Sequence, residues 1–191
     1  MRSEYETKRL LLSVSHPDKA ASILTFYENN RDFLEPYEPS KRPGFYTLEF
    51  QRSNLTFEYN SFVKSRYLRM WLYDKQQPEI PVGTVCFSNF LRGAFSSCMI
   101  GYKTDKDHLR KGYMMEALSF LIPLVCREYR FHRIEAYVMP DNLPSIALLE
   151  QLTFHREGLL HDFAQINGQW ENHYIYTYLA SVSYTHLRAH E

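Results

Sequence analysis

Apolar positions along the chain change period several times, and each change marks an element. Lys8-Arg9-Leu10-Leu11-Leu12-Ser13-Val14 predicts a first strand. From Asp18 to Asn30 the spacing becomes helical, with Ala21, Ile23, Leu24 and Tyr27 on the apolar side and Asp18 as the cap. Phe33 to Pro39 predicts an irregular loop, because Pro36 and Pro39 break any helix. Leu48 to Arg66 predicts a second helix. Strands are expected over Arg69–Asp74, Pro81–Ser88 and Phe95–Lys103. The turn signals Lys75–Glu79 and Arg92-Gly93 between them make this an antiparallel meander. After Gly112, the side chains of Met114, Met115, Leu118, Leu121, Ile122, Val125 and Tyr129 fall on one face of a long helix. Pro123 removes one hydrogen bond from it and should kink it. Arg133–Val138 predicts a strand with Ile134, Ala136 and Val138 on one face, and Asn142–Leu152 a short helix. Asp162–Ile166 and Asn172–Leu179 form a closing hairpin through Asn167-Gly168. The strands before and after the Gly112 helix should be parallel, since a long crossover joins them. The fold class is α/β: a mixed, mostly antiparallel sheet with a central parallel pair and flanking helices.

The stretch Asp107 to Leu118 concentrates the chemistry. It is a basic turn with one glycine that runs into the long helix. The first N–H groups of a helix lack intrahelical partners, and the helix dipole puts partial positive charge there. Gly112 permits φ > 0 or close approach of a ligand, and Arg110 and Lys111 add charge. A phosphate or pyrophosphate would be held well. The turn lacks the Lys-Ser or Lys-Thr pair of a P-loop and the spaced glycines of a dinucleotide fingerprint.

Composition narrows the function classes. The 191 residues suit one domain, and 45% hydrophobic content supplies a core. Formal net charge is zero, which argues against a nucleic-acid partner. Cys86, Cys98 and Cys126 have no metal spacing and are odd in number, which suits reduced core thiols in a cytoplasmic protein. Metal binding is not expected. No secretory signal or membrane-spanning run is evident. Residues 182–191, Val-Ser-Tyr-Thr-His-Leu-Arg-Ala-His-Glu, resemble a translated sequencing adapter, so the expected domain is 1–180 and His186 and His190 carry no metal reading.

The order of motifs resembles the GNAT superfamily of acetyl-CoA-dependent N-acetyltransferases, and within it the RimJ/RimL branch that acetylates N-terminal alanine of ribosomal proteins. The family's loop Gln/Arg-x-x-Gly-x-Gly/Ala corresponds to Leu109-Arg110-Lys111-Gly112-Tyr113-Met114, and the branch's Gly-Tyr-Met-x-Glu-Ala-Leu is Gly112 to Leu118. His132-Arg133-Ile134-Glu135-Ala136, Pro140-x-Asn142-x-x-Ser145, Leu148-Leu149-Glu150-x-Leu152-x-Phe154, Glu157-Gly158 and Gly168-x-Trp170 follow in order. The resemblance implies the GNAT (acyl-CoA N-acyltransferase) fold. In that fold two central strands splay after a bulge and acetyl-CoA lies in the gap, here near Cys98 to Tyr102. It also implies acetyl-CoA binding by Leu109, Arg110, Lys111, Gly112, Tyr113, Met114, Asn142 and Ser145. Phe33–Pro39 resembles the branch's Leu-x-Pro-Trp-x-Pro acceptor loop, so Tyr37 and Glu38 become acceptor-site candidates.

Acetyl transfer to an amine needs a neutral nucleophile, a donor for the oxyanion and a proton for the thiolate. Asn142 and Ser145 are the catalytic candidates by resemblance, while Asn142 followed by Pro144 also reads as a helix cap. Leu149 stands where many relatives carry a tyrosine acid, Leu109 where they have Gln or Arg, Arg110 at a common glycine and Thr153 at the glycine before Phe154. Glu35, Glu38, Glu135, Glu157 and His108 are possible bases, and none stands out. An α-amine, with a pKa of about 7.7–8.0 against about 10.4 for lysine, needs the least help from one. The resemblance, which this mildly favours, implies the N-terminal amine of a (ribosomal) protein as the acceptor. The alternatives are a small amine, such as a polyamine or aminoglycoside, and CoA binding without turnover; monomer and homodimer are both open.

Overall fold

A computed structural model describes residues 1–14 and 16–180; the adapter-like segment 182–191 lies outside them. Eight strands form one sheet: β1 (Glu4–Glu6), β2 (Leu10–Val14), β3 (Leu68–Asp74), β4 (Gly83–Leu91), β5 (Ser97–Thr104), β6 (Arg133–Val138), β7 (His155–Ile166) and β8 (Gln169–Leu179), in the spatial order β1-β2-β3-β4-β5-β6-β8-β7. The helices are α1 (Ala20–Asn29), α2 (Arg31–Leu34), α3 (Leu48–Val63), α4 (Tyr113–Tyr129) and α5 (Leu143–Gln151). As the crossover required, β5 and β6 are parallel, and the other pairings are antiparallel.

The two-residue period of β3 divides the core between the faces of the sheet. Leu68, Met70 and Leu72 join Leu118, Leu121 and Val125 of α4 on one face. Trp71 and Tyr73 join Ile23, Phe26 and Tyr27 of α1 and Leu55 of α3 on the other. Burial on both faces makes β3 a nearly continuous apolar run. Leu149 of α5 is in the α4-side core. Pro123 is on the exposed face of α4, and the helix continues past it to Tyr129.

Several boundaries differ from the sequence reading. Asp18 does not cap α1: Pro17–Lys19 forms a separate 3-10 turn, and neither turn nor helix has a side-chain cap. Ala21 is exposed, and the buried stripe is Ala20, Ile23, Phe26 and Tyr27. The expected loop Phe33–Pro39 is partly helical, because α2 and a 3-10 turn over Glu35–Tyr37 accommodate Pro36 in a first turn, where its missing N–H costs nothing. Strand β1 was missed because its three residues show no apolar alternation. Strand β7 begins at His155 rather than Asp162; it is an edge strand with mostly exposed residues and two register shifts, so it lacks a clean period. Asn167 and Gly168 form the hairpin turn with φ of 48° and 80°.

One local feature positions the site. Strands β5 and β6 pair only at Ser97↔Arg133, Cys98↔Ile134 and Met99↔Glu135. Beyond that point β5 continues to Thr104 on β4, and β6 continues to Val138 on β8. The two edges part, leaving a gap at the centre of the sheet. The adjacent register shift lies in β4, between Ser88 and Leu91.

Candidate active site

The turn ahead of α4 is held open by its neighbours. Arg110 and Gly112 both take left-handed backbone, with φ of 57° and 75°. This explains why a glycine at position 110 would also be at ease. Gly112 occupies the N-cap without a side-chain cap, so the first-turn N–H groups of α4 are open to an anion. Arg9 of the segment leading into β2 fixes the turn. Its Nη1 donates to the Lys111 carbonyl at 2.7 Å, and its Nε lies 2.6 Å from Glu116 Oε2. Glu116 also accepts from the Arg9 main-chain N–H at 2.7 Å and the Thr7 hydroxyl at 2.6 Å. Partial burial raises the Glu116 pKa, but these donors outweigh it and hold the carboxyl below its ordinary value. The Arg9 guanidinium lies over the Tyr113 ring, 4.6 Å from its centroid, and the Tyr113 hydroxyl donates to Asp74.

Between the parted strands lies a cavity of about 550 Å³. Ile100–Thr104 of β5, Ala136–Val138 of β6, the start of α5 and the Phe33–Glu38 segment all contribute walls. Leu109, Arg110, Asn142, Ser145, Tyr37 and Glu38 meet around it. Lys111, Gly112, Tyr113 and Met114 do not line it. The first two form the turn beside it, Tyr113 is held by Asp74 and Arg9, and Met114 is core. Any ligand contacts of the last two would be through the backbone. Cys86 also lines the cavity, which corrects its assignment to the core; Cys98 and Cys126 are buried.

The start of α5 carries two polar groups. Asn142 does cap the helix, its Oδ1 accepting from Ser145 N–H at 3.3 Å, with Pro144 in the first turn. Ser145 Oγ lies 2.8 Å from the Tyr102 hydroxyl. Burial pushes the Tyr102 phenol up to about 12, against a smaller opposing pull from Ser145. Leu149 is 1% exposed and belongs to the core, so the tyrosine common in relatives has no counterpart there. Tyr102 brings a phenol to Ser145 from β5 instead. The sequence reading missed it because Ile100-Gly101-Tyr102 looks like any strand end.

The base candidates are mostly engaged. Glu35 pairs with Arg31 at 3.1 Å and accepts from Tyr46 at 2.9 Å. Glu135 pairs with Arg133 at 2.6 Å and accepts from Tyr137 at 2.6 Å. Glu157 is 2.6 Å from Arg133, and His108 Nδ1 is 2.5 Å from Asp105. Of these candidates only Glu38 lines the cavity, and it pairs with both Lys41 and Lys103. Burial raises its pKa, but the two ammonium groups prevail and keep it below the ordinary value. Arg69 on the same wall binds Glu58 at 2.8 Å and the Tyr67 hydroxyl at 2.6 Å. Among the described residues, no group of three His, Cys, Asp or Glu could hold a metal, and no helix is long and apolar enough to cross a membrane.

This frame suits an elongated thioester with a phosphate end. It has an uncapped helix start beside basic residues, two free strand edges, and a hydroxyl pair at the far end of α5's first turn. A family model for the acetyltransferase (GNAT) domain matches residues 9–155. The chain belongs to the GNAT acetyltransferase family. This GNAT enzyme is an acetyl-CoA-dependent N-acetyltransferase of RimJ/RimL-like type. It is 36% identical over 169 residues to the ribosomal protein uS5-alanine N-acetyltransferase of Escherichia coli strain K12, covering 87% of this chain and 86% of that protein. The crystal structure of the ribosomal-protein-S5-alanine acetyltransferase of Vibrio fischeri matches with a TM-score of 0.88 at 27% identity, covering 93% of this chain and 97% of that one. Mycobacterium smegmatis RimJ in complex with CoA-disulfide matches with a TM-score of 0.83 at 25% identity, covering 90% and 82% of the respective chains. The cosubstrate of the GNAT enzyme is thus acetyl-CoA, and the fold is the expected one.

Proposed function

We propose that the acceptor is the N-terminal α-amine of a protein, as in the ribosomal-protein branch. The observation that carries this reading is the charge of the acceptor wall. A polycation would need uncompensated carboxylates, yet Glu38 is neutralised by Lys41 and Lys103, and Glu35 turns to Arg31 and Tyr46 outside the cavity. Arg69 and Lys103 leave the lining without negative excess. The identity to the uS5-alanine enzyme supports the same acceptor class.

In this reading Leu109, Arg110 and the turn Lys111–Met114 hold the phosphates through charge and open N–H groups. Ser145 gives a proton to the departing thiolate. Tyr102, the more acidic hydroxyl, donates to Ser145 Oγ and leaves the serine hydrogen free to point into the cavity. Asn142 holds α5, and therefore Ser145, in register. Tyr37 and Glu38 belong to the acceptor wall.

Mass spectrometry after incubation with acetyl-CoA tests the acceptor, using peptides that begin with alanine, serine or methionine beside spermidine and an aminoglycoside. Product at a peptide α-amine supports the proposal; product only on small amines overturns it. Ser145→Ala should lower kcat about 100-fold with KM for acetyl-CoA unchanged, the ordinary loss for a positioned acid. Undiminished turnover would remove Ser145 from the acid role.

A further inference from the structure

The carboxylates that sequence reading offered as bases are engaged by cations or turned away from the cavity. A histidine on its wall remains unassigned. His173 of β8 lines the cavity and is 7% exposed. Its Nδ1 lies 3.0 Å from the Glu171 carbonyl oxygen. A carbonyl can only accept, so Nδ1 carries the hydrogen, and in the neutral form of the ring Nε2 is a bare lone pair. Among the described residues the Nδ1 contact is the ring's one side-chain hydrogen bond. The ring is braced by Phe163 at 5.4 Å between centroids, and Phe163 stacks on Tyr137 of the cavity wall at 4.6 Å.

Register places His173 on a particular side of the gap. Ile134, Ala136 and Val138 of β6 and Tyr176 of β8 face the core beneath α4 and α5. Tyr137 is opposite Ile175, so both face the other way, and His173, two residues before Ile175, shares their face. Ser145 comes from α5, whose Leu149 is buried in the α4-side core. The two groups thus enter the gap from opposite faces of the sheet. That is the separation acyl transfer needs: a proton removed from nitrogen at one wall and one supplied to sulfur at the other.

We infer that His173 is the general base of the reaction, taking the proton from the acceptor amine through Nε2, directly or across one water. This rests on Ser145 as the acid only for the far half of the proton balance. The amine nitrogen forms the new N–C bond and loses its proton to His173. The C–S bond breaks with its electron pair left on sulfur, which takes the Ser145 proton. Tyr102 reprotonates Ser145, and the proton on His173 returns through water to the tyrosinate, so both side chains end as they began. On the adjoining walls Glu38, Lys103, Arg69 and Tyr137 are each paired elsewhere.

The test measures turnover of His173→Gln and His173→Ala with the alanine-starting peptide, or with spermidine if that is what the wild-type enzyme acetylates. A failed acceptor assignment therefore appears in the wild type and remains separate from this result. Both variants should lose about 100-fold or more in kcat while binding acetyl-CoA as the wild type does. Added imidazole should restore part of the His173→Ala rate by entering the vacated space, a response that loss of packing cannot produce. Turnover of His173→Gln within two-fold of wild type overturns the assignment. So does a loss that imidazole does not relieve or that tracks weakened acetyl-CoA binding. A drop in both His173 variants with Ser145→Ala unaffected keeps the base and rejects the acid.

Discussion

Replacing Gly112 separates the shape of the proposed phosphate-binding turn from its charge. At φ of 75° an alanine Cβ would be 3.3 Å from Arg9 Nη2, the movable end of a long side chain. The contact is therefore cheap, and left-handed backbone strain of about 1–2 kcal/mol is the main cost of Gly112→Ala. Gly112→Asp has similar strain and adds a negative charge at the start of α4. That charge suits the helix dipole, by about 0.3–1 kcal/mol, so the Asp variant should be no less stable than the Ala variant. Binding should move the other way. A carboxylate about 5 Å from a phosphate charge is repelled by about 1 kcal/mol in water-like surroundings and about 3 kcal/mol at an effective dielectric near 20. Gly112 is exposed, so the lower half of that range applies, and CoA should bind about 5- to 30-fold more weakly to the Asp variant than to the Ala variant. Titration calorimetry with CoA at low and high salt reads this, and thermal melts read stability. The difference should shrink as salt screens the charges. Equal affinities for the two variants at low salt would refute an anion site at this turn.

Thr153 takes φ of 63°, unusual for a β-branched residue, at the position where relatives carry glycine. Thr153→Gly relieves about 1–2 kcal/mol of strain and gives back about 0.5–1 kcal/mol through the freer unfolded chain. The net of about 0–1.5 kcal/mol should raise the melting temperature by up to about 6 °C, and a fall would contradict the strain. Glu38 has a depressed folded-state pKa, so its contribution to stability is present above the ordinary glutamate value of 4.5 and is lost as pH falls below it through the folded pKa. Thermal melts from pH 7 to pH 3 should therefore show a shallower acid decline for Glu38→Gln than for wild type; identical slopes would mean the ion pairs with Lys41 and Lys103 contribute nothing.

The turn ahead of α4 and the start of α5 were legible because their residues lie close in sequence. Gly112 and the α4 stripe form one local unit, and Asn142, Pro144 and Ser145 are successive positions of a capped helix. Local units follow from backbone sterics and period, which a sequence displays directly. The acceptor half was far less legible. Tyr37 and Glu38 were found only through the likeness of a loop. Tyr102, Lys103, Arg69 and His173 look like ordinary strand residues until the sheet brings β3, β5 and β8 around one cavity. Edge strands were also hard to read, since β1 and most of β7 bury too little to need alternation.

By itself, then, the sequence determined most of the elements, the parallel β5–β6 pair and the basic turn ahead of α4, because each depends on contacts within a few turns of chain or on a crossover long enough to fix direction. It also determined that the standard tyrosine is missing at Leu149. Only the tertiary structure decided what stands in its place and what the carboxylates do. Tyr102 meets Ser145 across 43 residues of chain. Glu38 is claimed by Lys103, while His173 lines the cavity. Such pairings arise when β5 and β6 stop bonding after Met99 and distant segments line the gap. No periodicity encodes that meeting, because the residues share a cavity but no local geometry.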